Sequence, residues 1–396
     1  MVIALAVGLL GRDGRDLPLK RANGAALDRA VLILTEAAQS FVFGEIDEAP
    51  VLSLNRGFSA PIKLRANLAP EELRFLAARD SDSFNRWEAL QTLATRLLVD
   101  NVAALRAGEP VRDEPGLTQA LAALLDDPQL EPAFVALMLA LPGEAEIARE
   151  IGHDVDPDAI FAARSALRKL AGHTLSEPLL RSYRALAENG PYRADAASVG
   201  RRALRNVALD LMVASGSPDA AALAAAQYRG ADNMTDRMAA LSTISLHNAP
   251  ARAEVIEDFY MRYREDPLIV DKWFSLQATI SERATLDRVK ALTSHPVFSF
   301  ANPNRVRALI NSFAFGNQKE FNRPDGAGYD FVVDVVLTLD SKNPQVAARL
   351  LSALKSWRAL EPGRRARAQA ALARVAGTSS LSPDVSDIAQ RALAEQ

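Results

Sequence analysis

The sequence predicts a mainly α-helical protein, an irregular superhelix of the HEAT or armadillo kind preceded by a small β-sandwich module. Three observations predict it. Residues 1–67 carry about five short apolar, β-branched runs separated by turn signals. From residue 68 onward the composition shifts to Ala, Leu, Arg and Glu, with apolar positions at helical period. The helical segments are short and joined by Pro-, Gly- or Asp-rich connections, so each buries its apolar stripe only against its neighbours. No fixed period or signature recurs, so the repeat is structural and irregular.

The β signals come first. Residues 2–10 are apolar with a β-branched start, Asp13-Gly14 is a hairpin turn signal, and Leu17-Pro18-Leu19 resumes an extended chain. Residues 30–35, 39–43, 51–54 and 60–64 are the further strand candidates. The boundary is expected near Leu68, with a β module over 1–67 and an all-α domain over 68–396. Pro70 sits at a helix start with Glu71 and Glu72 in the first turn, where carboxylates favour the positive end of the macrodipole.

Residues 84–107 read as a long amphipathic helix ended by Gly108 and Pro110, with shorter helices over 118–125 and 132–141. Residues 158–189 read as a helical pair broken near Gly172. Further helices are expected over 195–214, 218–228, 233–247, 252–264, 268–280 and 285–293, and again over 364–375 and 384–394. Between these groups, Asn302-Pro303 and Asn343-Pro344 are two helix starts of one design. In each, an Asn side chain accepts from an orphan backbone N–H and Pro occupies the first helical position, where no N–H is needed. Asp325-Gly326-Ala327-Gly328-Tyr329 reads as a flexible turn leading into the apolar run 331–337.

Composition excludes several classes. A charged fraction of 24% and a net charge of −3 argue against disorder and against a strongly basic nucleic-acid-binding surface. The absence of cysteine removes disulfides, thiolate nucleophiles and Cys-based zinc sites, and fits a reducing compartment, so a cytoplasmic location is expected. No apolar run approaches the roughly 20 residues needed to cross a bilayer, and the first ten residues lack the basic start and cleavage site of a secretory signal. No nucleic acid and no membrane are expected as partners.

The motifs that carry chemistry are few. His153, His173, His247 and His295 lie far apart, and none pairs at metal-ligand spacing on a helix. His153-Asp154-Val155-Asp156-Pro157-Asp158 gathers a His and three carboxylates, but Asp156 before Pro157 is an ordinary helix cap. No metal is expected on this chain. Asp325-Gly326-Ala327-Gly328 lacks the Lys-Ser/Thr of a phosphate loop, and Gly57-Phe58-Ser59-Ala60 lacks the second glycine of a nucleophile elbow. Arg201-Arg202 with Arg205, and Arg364-Arg365 with Arg367 and Arg374, read as solvated helix faces partly paired with acids such as Asp210 and Glu361. Met234, Met238, Trp273, Phe274 and Trp357 read as core. Gln345 and Arg349, four residues apart, share one face just past the second Asn-Pro start. Taken alone, they make a surface pair that answers a nearby carboxylate.

The strings NPNRVRALI, DGAGYDFVV and NPQVAARL resemble the C-terminal helical region of bacterial aminopeptidase N, a zinc-dependent family whose catalytic domain carries HExxH and GxMEN. RGFSAPIKL from Arg56, FNRWEALQTL from Phe84, RALRNVAL from Arg202, ADNMTDRMAALS from Ala231 and DKWFSLQAT from Asp271 agree with it in order and spacing. The resemblance runs from about Val7 to near the C-terminus, yet neither HExxH nor GxMEN occurs in this sequence. It implies that the β module is immunoglobulin-like and begins part-way through, and that zinc belongs to a catalytic domain of the same parent chain. It further implies that Arg349, Arg307 and Gln345 face the cavity over which the superhelix closes, where they meet short peptides. No catalytic residue is expected on this chain, and a monomer is expected.

Two functional classes stay open. One is the non-catalytic C-terminal part of a zinc aminopeptidase, enclosing the active-site cavity and restricting access to short peptides; the other is a self-standing helical-repeat scaffold binding a protein partner on its concave face. An autonomous enzyme has no motif in its favour. The purified chain is expected to bind no stoichiometric zinc and to hydrolyse no aminoacyl anilide. Metal analysis finding one tightly held zinc per chain, with activity lost on chelation, would contradict this.

Overall fold

The computed structural model describes residues 2–21, 30–188 and 190–394. Strand β1 (Ile3–Leu10) is central to a three-stranded antiparallel sheet of order β3-β1-β5, with β3 (Val31–Leu34) and β5 (Val51–Leu54) on its two sides. Its first half pairs with β3, Leu5 opposite Leu32, and its second half with β5, Leu9 opposite Leu52. β2 (Lys20–Arg21) and β4 (Phe43–Gly44) form a separate two-stranded ribbon. The two halves of β1 serve two cores. Leu5, Val7 and Leu32 bury into a small cluster of the β module, whereas Leu10 joins the main core built from the helices.

Arg56 fastens the module to the helices. Its guanidinium donates to Ser53 Oγ at 2.7 Å, to Asp16 at 2.6 Å and to the buried Asp80 at 3.1 Å, at the end of α1 (Pro70–Arg79). A Cβ on Gly8 would stand 2.0 Å from the Arg56 Cζ, so the strand has no side chain where the guanidinium crosses it. Asn85, in the first turn of α2 (Ser83–Arg106), donates to Ser53 Oγ and to the Leu54 carbonyl.

Part of the strand reading is corrected. Residues 60–64 form no strand: Asn55 holds the Ala60 N–H and carbonyl with its own amide, and the Ile62 N–H turns back to the Ala60 carbonyl. A local side-chain bond of this kind replaces ladder pairing. Residues 39–43 contribute only Phe43 to a strand, and 17–19 are extended without a ladder beyond the Leu17 N–H to Leu9 bond.

The helical reading holds more closely. After α1 and α2 come α3 (Pro115–Asp126), α4 (Pro132–Leu139), α5 (Glu144–Ile151), α6 (Pro157–Thr174), α7 (Ser176–Ala185), α8 (Ala196–Ala214), α9 (Pro218–Gly230), α10 (Met234–Leu246), α11 (Arg252–Tyr263), α12 (Pro267–Thr279) and α13 (Thr285–Leu292). The chain continues with α14 (Pro303–Val306), a π-helical turn over Arg307–Asn311, α15 (Ser312–Gly316), α16 (Gln318–Phe321), α17 (Ala327–Asp340), α18 (Pro344–Leu351), α19 (Pro362–Ala376) and α20 (Pro383–Leu393). Ten of these open with Pro at the first helical position, and Asp, Asn, Ser or Glu side chains cap seven of those ten starts, all but Pro70, Pro115 and Pro132. Helices α5 and α16 were not anticipated, and the expected end of the helical pair at Asn189 lies outside the described residues.

The helices turn back on themselves. α6 packs on α8, α8 on α10, α10 on α12, α12 on α13, α13 on α16, and α16 again on α6. α6 and α8 approach closely at Gly172, where a Cβ would come within 1.9 Å of the Leu211 carbonyl oxygen. The closure is sealed by polar contacts. The Val155 N–H donates to the Ala359 carbonyl at 2.8 Å and the Glu361 N–H to the Val155 carbonyl at 2.9 Å. Beside this bridge, the buried Arg364 of α19 donates to Asp158, to Asp156 at 3.2 Å, to Glu361 at 3.3 Å and to the Asn322 carbonyl at 2.5 Å. Asn322 in turn accepts from the hydroxyl of the fully buried Tyr329 at 3.0 Å. Arg364 is thus not on a solvated face, as its cluster of arginines suggested.

A second, half-buried group lies between α6, α8 and the end of α10. Asp210 takes the guanidinium of Arg168 and, at 2.9 Å, the His247 Nε2. Burial pushes the Asp210 carboxyl up, but the His247 hydrogen bond and the Arg168 charge outweigh it and hold it at about 2. Asp210 therefore answers α6 and α10, not the Arg201–Arg205 cluster with which the sequence grouped it.

Arg364→Met should lower stability by about 3 kcal/mol, because three acids then face a buried gap without their cation. Arg349→Ala, on an exposed face, should change it by less than about 0.5 kcal/mol. Denaturant unfolding at pH 7 checks both. For Asp210 the folded state lies below the ordinary carboxylate range, so its stabilisation is present above about pH 4 and is lost as pH falls toward 2. Asp210→Asn should cost about 2 kcal/mol at pH 7 and flatten that acid-side decline in urea titrations at a series of pH values.

Candidate functional site

The two Asn-Pro starts fold as their residues dictate. Asn302 accepts from the N–H groups of Asn304 and Arg305 at 3.0 and 3.4 Å, and Asn343 from that of Val346 at 3.2 Å. The first start then separates two kinds of arginine. Arg305 is buried: it pairs with Asp271, donates to the carbonyls of Pro267 and Val297, and lies 5.7 Å over the Phe274 ring. Arg307, two residues on, points the other way and is exposed, with one weak contact to Asn304 Oδ1 at 3.3 Å.

Arg307 also opens the π-helical turn, which the sequence reading missed. Such turns insert one residue into the helical ladder and recur at functional sites. Here the Ala308 carbonyl is taken by Ser275 Oγ at 2.9 Å and the Arg307 carbonyl by Ser312 Oγ. One turn on, Asn311 holds a buried Oδ1 without a partner. Arg307 and Asn311 thus bring a cation and an unused acceptor to one stretch of helix.

On α18, Val346, Ala347, Leu350 and Leu351 are buried, while Gln345 and Arg349 are exposed together on the opposite face. The nearby carboxylate that a surface pair would answer is missing: among the described residues neither Arg307 nor Arg349 contacts an acid. No hydrogen bond joins Gln345 to Arg349, or either to Arg307, among those residues. The structure therefore sets out two separate polar patches, one on the π-helical turn and one on α18. The turn at 325–328, read from sequence as flexible, is held by Arg323, which donates twice to Asp325, and by the Ala327 N–H on the same carboxylate.

A third polar group was not foreseen. Glu144 of α5 lies within the electrostatic reach of Arg164 on α6 and Lys319 on α16, and Lys319 stands 4.7 Å over the Phe161 ring of α6. Burial raises the Glu144 carboxyl, against the pull of Arg164 and Lys319. Burial and the neighbouring Arg168 lower Arg164, whose Nε donates to the Pro142 carbonyl at 2.8 Å. No spacing in the sequence marks this group, because Lys319 reaches the other two only through the packing of α16 on α6. Among the described residues, no three His, Asp or Glu side chains gather as a metal site, and Asp156 acts as the cap of α6.

The comparisons with known proteins agree along the chain. Residues 70–394 match the family described as a domain of unknown function with ARM repeats, and residues 1–67 its companion with an Ig-like fold. Aminopeptidase N of Caulobacter vibrioides is 38% identical over 98% of this chain and 44% of its own length. Aminopeptidase N of Escherichia coli is 35% identical over 99% of this chain and 45% of its own. A crystal structure of Legionella pneumophila aminopeptidase A in complex with aspartic acid superposes with a TM-score of 0.87 at 26% identity, covering 99% of this chain and 45% of that one. The chain spans less than half the length of these relatives. It belongs to the DUF3458 family of Ig-like and ARM-repeat domains and is homologous to the C-terminal part of aminopeptidase N.

Proposed function

We propose that this chain is the non-catalytic C-terminal part of a zinc aminopeptidase, which removes N-terminal amino acids from peptides. In this reading it closes over the active site of a catalytic domain in the same parent chain, limits access to short peptides and works in the cytoplasm. The observation that carries the reading is the collinear match to aminopeptidase N over 98% of the chain. Zinc would be held by that catalytic domain.

Arg349, Arg307 and Gln345 are the residues assigned to substrate. An exposed guanidinium that no acid neutralises is free to donate two aligned hydrogen bonds to a peptide carboxylate, a charge-assisted contact of roughly 1.5–3 kcal/mol that Lys does not reproduce geometrically. Gln345, one turn away on the same face, offers an amide to the peptide backbone. Arg307, on the π-helical turn, supplies a second cation.

Arg349→Ala in the full-length enzyme should lower kcat/KM for tri- and tetrapeptides by about tenfold while leaving aminoacyl anilides nearly unchanged, because the guanidinium stands beyond the scissile bond. Equal losses on both would place its effect on folding or domain closure, and no change on either would return it to a plain surface residue.

A further inference from the structure

The stretch from Lys63 to Asn67 runs without a turn or bend, and among the described residues none of its backbone N–H or C=O groups is hydrogen-bonded. It is fastened only at its two ends. The Ile62 N–H returns to the Ala60 carbonyl, and the Leu68 carbonyl accepts from Arg96 of α2 at 2.7 Å. A groove of about 920 Å³ lies beside it, lined also by Leu52 and Leu54 of β5, Leu73 of α1 and one side of α2. Lys63, Leu64, Arg65 and Asn67 are exposed and Ala66 is half-buried, so the stretch is open to whatever enters that groove.

Its side chains alternate, with Ile62, Leu64, Ala66 and Leu68 apolar and Lys63 and Arg65 basic between them. That two-residue period belongs to a strand, yet no ladder is formed. An extended backbone with unused donors and acceptors is a sheet edge, open to the addition of a further strand. At about 3.3 Å per residue the five residues present an edge of roughly 17 Å, and only another extended chain repeats its polar groups at that spacing.

Charge narrows the occupant. Neither Lys63 nor Arg65 contacts an acid among the described residues: Glu88 and Asp100 of α2 and Glu150 of α5 line the same groove without pairing to them. A second copy of the stretch fits poorly, because antiparallel pairing centred on Leu64 or Arg65 sets cation against cation. A strand carried by the same polypeptide is held at high effective concentration and needs little affinity of its own. More than half the length of each curated relative lies outside the part that this chain matches. Resting on the parent-chain reading above, we propose that residues 63–67 pair with an extended strand from the remainder of the parent chain. Its side chains are apolar beside Leu64 and Ala66 and include carboxylates opposite Lys63 and Arg65.

Amide hydrogen exchange, compared between the full-length enzyme and this chain alone, tests the pairing. Alternate amides between 63 and 67 should exchange about tenfold or more slowly in the full-length enzyme. Lys63→Glu with Arg65→Glu, both exposed, should remove most of that protection, whereas Lys63→Arg with Arg65→Lys should keep it. Equally fast exchange in the two proteins would overturn the proposal. So would protection in this chain alone that grows with its concentration, the mark of a second copy, or protection that the paired Glu substitutions leave unchanged. Peptidase activity is assayed on the same full-length samples: its absence sinks the parent-enzyme reading, while the exchange rates report on the strand whether or not the protein turns over substrate.

Discussion

The Arg364 guanidinium joins residues 206 and 208 positions apart in sequence, and the closure of the helices depends on it. Asp156 would cap α6 in any case, and Glu361 would cap α19. Arg364 makes those two local caps into one joint by lying between them. Each acid therefore serves twice, once toward the orphan N–H groups of its own helix and once toward a cation from far along the chain. A planar guanidinium suits this role because its fork of donors reaches acceptors on several sides, which an ammonium does not.

Arginines divide sharply by use in this molecule. Arg56, Arg202, Arg305 and Arg364 are largely enclosed and paired with acids, and they fasten one element to another. Arg307 and Arg349 lie on exposed faces and, among the described residues, contact no acid. Exposed ion pairs contribute little to stability, so a cation left without one is cheap to keep and available for a ligand. The same sorting explains why composition, with nearly balanced charge, says so little about partners.

How much was legible follows from how local each signal is. The helix starts were legible because Asn-Pro, Asp-Pro and Ser-Pro act within three residues, and the irregular superhelix and Ig-like module followed from period and from resemblance. Strand 60–64 was misread because alternation cannot reveal that Asn55 takes the Ala60 backbone first. Arg364 was misread because two of its acids, Asp156 and Asp158, lie more than two hundred residues away, and a run of arginines gives no sign of which one turns inward. The π-helical turn at Arg307 and the meeting of Glu144 with Arg164 and Lys319 leave no trace in spacing at all. Gln345 and Arg349 share the face that their spacing predicts, and among the described residues no acid answers them.

The joint at Arg364 also has a bearing on synthesis. Ribosomes add roughly 5–20 residues per second, so about 10–40 seconds separate the emergence of Asp156 and Asp158 from that of the arginine they require. During that interval α6 has its apolar partners α2, α5 and α8 but not its last polar one, and the ring stands open at that edge. The nascent chain must hold two carboxylates and the Val155 backbone toward water until the final forty or so residues arrive. A stall late in translation would thus leave a body whose core is built and whose seam is not, a form that quality-control proteases could distinguish by that seam alone.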